Sequence, residues 1–63
     1  MFIYEIFLLD CGDEIFVGDS GDEIFEREDE AYADADEFIA DYLMDEFNKK
    51  KKDFKVEVYE KFI

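Results

Sequence analysis

Apolar positions follow three different rhythms along the chain. Residues 2 to 9, FIYEIFLL, are apolar on both alternating faces, the pattern of a central strand covered on one side by a helix and partly covered on the other. Asp10, Cys11, Gly12 and Asp13 follow and carry turn chemistry: Gly12 takes positive φ without steric cost, and the aspartates bond nearby backbone amides. A hairpin into EIFVG, residues 14 to 18, is the simplest outcome. Gly18, Asp19, Ser20 and Gly21 make a second turn of the same character, leading into DEIFE at residues 22 to 26. The word GDEIF thus occurs twice, at residues 12 and 21, and reads as two short strands, each opened by an acidic pair at a turn. The second copy is either a third strand or an extended lead into the next element, because strands this short need neighbours to persist.

From Asp29 onward the period changes. Ala31, Ala35, Phe38, Ile39, Tyr42 and Leu43 recur at spacings of three and four, which predicts an amphipathic helix from about residue 30 to 47 with Asp29 as its N-cap. Asn48 and the lysines at 49 to 52 end it, and cations after the last turn suit the helix dipole. The last segment, FKVEVYEKF at residues 54 to 62, alternates, with Phe54, Val56, Val58 and Phe62 on one face and Lys55, Glu57, Tyr59 and Lys61 on the other. That is a half-buried strand. The expected fold class is therefore α+β: a single domain over residues 1–63, with a three- or four-stranded antiparallel sheet packed against one amphipathic helix in the order strand, strand, optional strand, helix, strand.

Composition changes this picture in two ways. Twenty acids against seven bases give a net charge of −13, and the chain has no His, Trp or Pro. Residues 1 to 48 hold seventeen acids and the single base Arg27, whereas residues 49 to 63 hold six lysines and three acids. Like charge at this density opposes compaction, so folding is driven by apolar burial. The twelve aromatics supply the apolar area and argue against the disorder that charge alone would suggest. Cys11, the only cysteine, cannot form an intramolecular disulfide, has no His or Lys close in sequence to activate it, and reads as a small turn residue. The N-terminal apolar run has no basic flank, carries Glu5 and is too short to span a bilayer. The expectation is a cytoplasmic protein with no membrane attachment.

The helix carries the clearest candidate for function. At 100° per residue, Glu30, Asp34, Glu37, Asp41 and Asp45 fall in one narrow arc, read here as lying opposite the face centred on Ala35 and Phe38. No base interrupts this ridge, which forgoes four favourable helix pairs and accepts four unfavourable ones at a cost on the order of 1 to 2 kcal/mol. Its five charges spread over roughly 22 Å, about one per 4.5 Å of axis, against about 3.4 Å per phosphate along one strand of a B-form duplex. Asp13, Glu14, Asp19, Asp22 and Glu23, the acids of the doublet, are candidates for a second row. In size, charge and acidic display the chain resembles the small acidic inhibitors carried by phages and mobile elements: anti-CRISPR proteins, anti-restriction proteins and uracil-DNA glycosylase inhibitors, several of which mimic DNA. The resemblance aligns no motif, so no family binding residue carries over. It implies a non-catalytic inhibitor that presents carboxylates to a basic nucleic-acid-binding groove of a host protein.

Other chemistries fit less well. The two GDEIF copies lack the glycine-rich turns and the third repeat of a calcium-binding β-roll, and a helix-loop-helix calcium site would place Ile15 or Ile24 where glycine is required. No metal site or cofactor is expected. Ser20 has no base partner and no phosphate-binding glycine loop is present, so an enzyme is not expected. Lys49 to Lys52 could touch nucleic acid, but beside a strongly acidic body they are better read as cations at a helix end, with no direct nucleic-acid binding. The alternative function is a protein-interaction module that binds through Phe and Tyr on an open sheet face. A C2 homodimer through the sheet is compatible with either reading.

Overall fold

The structure is a computed structural model, which describes residues 1–62. Strand β1 (Phe2–Asp10) is central, flanked by β2 (Asp13–Asp19) and β3 (Phe54–Glu60), both antiparallel to it. Since both flanking strands oppose β1, they run parallel to each other, and the long helical segment between them crosses one face of the sheet. This is the expected α+β domain, with three strands and one helical rod.

The hairpin joining β1 and β2 turns on Cys11 and Gly12, with φ of 50° and 86°. Positive φ at both central residues is the primed turn whose twist matches that of paired strands. β2 then carries a bulge. Ile6 faces Gly18 and Phe7 faces Phe16, so Val17 is an extra residue. The bulge lets Val17 pack against the core while Gly18, facing Ile6, lies beneath the ring of Phe38. Gly18 is thus a strand residue and not the start of the second turn; an added Cβ would stand 3.4 Å from the Phe38 ring edge.

The second GDEIF copy does not become a strand. It is an extended lead into the helix, held to β1 by one bridge in which Phe2 N–H donates to Phe25 O at 2.7 Å and Phe25 N–H to Phe2 O at 2.9 Å. Ser20 continues the edge between β2 and this bridge. Its N–H donates to Tyr4 O at 3.0 Å, and its hydroxyl accepts Tyr4 N–H at 3.2 Å, standing in for a ladder carbonyl.

Helix α1 (Glu28–Phe38) runs without a break through a π-helical stretch, Ile39–Leu43, into α2 (Met44–Phe47). It starts earlier than the spacing predicts. Arg27, extended, occupies the cap with no side-chain bond, and Asp29 lies inside an acidic first turn, where the helix dipole favours its charge. The π stretch follows from the buried stripe. Ala31, Ala35, Ile39 and Leu43 recur every four residues and all are at most 2% exposed. In a regular α-helix such a stripe would drift by about 40° per step; the wider π turn absorbs the drift and keeps Leu43 on the sheet. The same change turns Tyr42, expected on the apolar face, out to solvent at 65% exposure. Asn48, in the left-handed region at φ 54°, closes the rod.

The core joins Tyr4, Ile6 and Leu8 of β1 to that stripe and to Phe54 of β3. Val56 and Val58 pack at its margin as their alternation predicts, but Phe62 lies beyond the end of β3 and is exposed. The lysine run becomes a connection: Lys51–Asp53 form a 3-10 turn in which Lys50 N–H donates to the Asp53 carboxylate at 3.0 Å.

Candidate functional site

The acidic ridge does not stand opposite the sheet. Asp34 is half-buried and its Oδ2 accepts the hydroxyl proton of Tyr4, a core residue, at 2.7 Å. The ridge is therefore a shoulder of the helix, adjacent to the apolar stripe, overhanging the β2 side of the sheet. The reason is geometric: Glu30 and Asp34 immediately precede Ala31 and Ala35 of the buried stripe, so they lie about one residue's rotation from it and not across the helix.

This position brings part of the doublet to the helix. Glu23, Asp34, Glu37 and Asp41 line a shallow groove of about 260 Å³ together with Phe38 and Tyr42, whose rings tilt against each other at 5.6 Å. The Tyr4 hydroxyl beneath registers the charge. Burial, the bond to Asp34, and the negative charges of Asp34, Glu23 and Asp19 all push its pKa well above the usual tyrosine value. Asp19 is fixed by accepting Gly21 N–H at 2.8 Å, in a tight turn where Gly21 takes a φ of 61°. The turn closes with Glu23 N–H donating to Ser20 O at 3.1 Å.

The other expected residues are not all part of this arrangement. Glu30, Glu37, Asp41 and Asp45 are exposed along the helix, and Asp22 is exposed on the turn beside Glu23. Asp13 pairs with Asp10 at the far hairpin. Glu14 lies on the opposite sheet face, 3.2 Å from Lys55. The second row is thus Asp19, Asp22 and Glu23, with Asp13 and Glu14 detached from it.

The ion pairs lie away from the shoulder. Among the described residues the ion pairs are Arg27 with Asp29 at the helix start, Lys51 with Asp36 on the helix flank facing β3, and Lys55 with Glu14 and Glu57 beneath the sheet. None involves Glu30, Asp34, Glu37, Asp41 or Asp45. Nor, among the described residues, do three His, Cys, Asp or Glu side chains come together in a way that could hold a metal ion. No helix among them is long and apolar enough to cross a membrane.

Sequence reasoning missed two contributors. Tyr4 anchors Asp34 from thirty positions away, and a tyrosine in an otherwise apolar central strand is the signal that a polar tip needs a partner. Ser20 is expected in the second turn, without a base partner; its bonds to the Tyr4 backbone depend on where β2 ends. Comparison with protein-family models, curated proteins and solved structures yields no match to this chain, and the functional reading rests on its own geometry.

Proposed function

We propose that the protein is a non-catalytic inhibitor that offers its helix shoulder, in place of nucleic-acid phosphates, to the basic groove of a nucleic-acid-binding protein of a host cell. The observation that supports this most strongly is charge segregation. Arg27, Lys51 and Lys55 form their ion pairs on other faces, while the shoulder carries carboxylates from Glu30 to Asp45, with Asp19, Asp22 and Glu23 alongside, that enter no ion pair among the described residues. Unpaired carboxylates cost helix stability, and a groove of Lys and Arg would convert that cost into attraction and a fast, salt-sensitive association. Phe38 and Tyr42, between the carboxylates, add an aromatic surface on which a guanidinium could stack.

The test is charge reversal that spares Asp34, whose loss would disturb Tyr4. Glu37→Lys, Asp41→Lys and Asp45→Lys are combined, folding is confirmed by circular dichroism, and wild type and variant are immobilised against a bacterial lysate. The wild type is expected to retain a nucleic-acid-binding protein that elutes steeply between low and moderate salt and is absent from the folded variant. Equal retention by both would remove the shoulder as the site.

A further inference from the structure

The side of the sheet away from the helix is uncovered, and its chemistry is distinct from that of the shoulder. Strand register places Ile3, Phe7 and Leu9 of β1, Phe16 of β2 and Tyr59 of β3 on this face. Phe7 and Phe16 meet edge to face at 5.9 Å, and Leu9, Phe16 and Tyr59 are each more than 40% exposed. Glu5, Glu14 and Glu57 share the face with one strand cation, Lys55. Lys55 reaches across β1 to Glu14 while also bonding Glu57, which in turn accepts the Tyr59 hydroxyl. The result is an aromatic and aliphatic centre bordered by three acids and one lysine already engaged.

We infer that this face is a second protein-docking surface, independent of the shoulder, whose occupant is a protein segment with apolar side chains flanked by lysine or arginine. Charge complementarity selects that occupant. A second copy of the chain would stack six carboxylates against two lysines across the interface, with −13 on each body. Nucleic acid and anionic lipid are repelled for the same reason. An apolar segment with basic flanks instead covers the Phe7–Phe16 pair and places its cations against the acidic border, the arrangement of an apolar centre with a polar rim found in specific interfaces.

The probe is a synthetic helical peptide with a leucine face and lysine flanks, titrated into isotope-labelled protein and followed by amide chemical shifts. A lysine–serine peptide of equal charge serves as control. The leucine peptide is expected to shift resonances around Phe7, Leu9, Phe16 and Tyr59, and the double variant Leu9→Ser, Phe16→Ser, altered at exposed positions, to weaken it at least tenfold. Tyr59→Ala, which leaves the hairpin untouched, is expected to weaken it several-fold should the double variant not fold. Shifts confined to the shoulder with both peptides, or affinity unchanged in the variants, would overturn the inference and leave the shoulder reading intact. Concentration-dependent shifts on this face without peptide would also overturn it, by identifying a second copy as the occupant. A lysine–serine peptide that fails to perturb the shoulder counts against the shoulder reading alone.

Discussion

Glu37→Lys is predicted to make the protein more stable. Glu37 follows Asp34 by three residues and precedes Asp41 by four, and all three line the same groove, with no ion pair to any of them among the described residues. Each like-charged helix pair costs about 0.2–0.5 kcal/mol and each opposite pair contributes about as much. Converting two pairs from repulsive to attractive therefore amounts to roughly 1 kcal/mol, which for a domain this small is a rise in Tm of about 4–8 °C. Glu37→Gln, which removes repulsion without adding attraction, should give about half of it. The assay is thermal unfolding by circular dichroism at low salt and again near 1 M salt, where a Debye length of about 3 Å screens exposed charges and should erase most of the gain. A folded Glu37→Lys protein no more stable than wild type at low salt, or a gain indifferent to salt, would refute the premise that the shoulder is a strained, unpaired surface.

Other substitutions test the supporting framework. Tyr4→Phe should remove an alkaline liability: the folded-state pKa of Tyr4 is raised, so its contribution is complete below pH 10 and is lost as pH rises from there toward the folded value, at up to about 1.4 kcal/mol per pH unit. Denaturant unfolding between pH 8 and 11 should be less steeply pH-dependent in the variant, and an identical slope would show that Tyr4 is not protected by burial and Asp34. Ser20→Ala leaves the Tyr4 amide without its acceptor and should cost about 1–3 kcal/mol by denaturant unfolding; a neutral result would mean that water replaces the hydroxyl. Cys11→Asn should stabilise by about 1 kcal/mol because Cys11 holds a positive φ that Asn adopts more readily, and a loss of stability would contradict the turn assignment. Leu43→Ala should cost about 2–5 kcal/mol, enough to leave a domain of this size largely unfolded at room temperature.

Much of the fold was legible because periodicity reports burial. β1 reads as two-sided, the Val56–Val58 alternation of β3 is strict, and Ala31 through Leu43 repeat at helical spacing. What escaped depends on contacts distant in sequence. The bulge at Val17 makes sense only once Phe38 lies over Gly18, and the second GDEIF copy stays a lead because the chain must leave the sheet to begin its helix at Glu28. The ridge was legible as a row of residues and, correctly measured, in its direction too. At about 100° per residue Asp34 lies one step from Ala35 and Glu37 one step from Phe38, so the wheel itself puts the row beside the apolar face and not opposite it, in agreement with the four-residue rhythm of the buried stripe Ala31, Ala35, Ile39 and Leu43. That rhythm was in the sequence and also foreshadows the π stretch. The Tyr4–Asp34 bond and the separation of Glu14 from the other acids needed the sheet register.

The two acidic rows gain a different emphasis from this geometry. Asp34 is partly committed to the fold through Tyr4, so the carboxylates free to engage a partner are chiefly Glu37, Asp41 and Asp45 on the helix with Asp22 and Glu23 on the turn. The GDEIF doublet is correspondingly divided, its first copy building the hairpin and its second delivering charge to the groove.

If the shoulder stands in for nucleic-acid phosphates, the protein and a duplex must compete for one groove. A basic nucleic-acid-binding protein captured by the wild type is held on a fluorescent duplex oligonucleotide, and fluorescence anisotropy follows displacement as the acidic protein is added. Complete displacement is expected, weakening steeply with salt, with at least tenfold poorer displacement by the folded Glu37→Lys, Asp41→Lys, Asp45→Lys variant. A ternary complex in which duplex and protein bind together, or equal displacement by the variant, would contradict it.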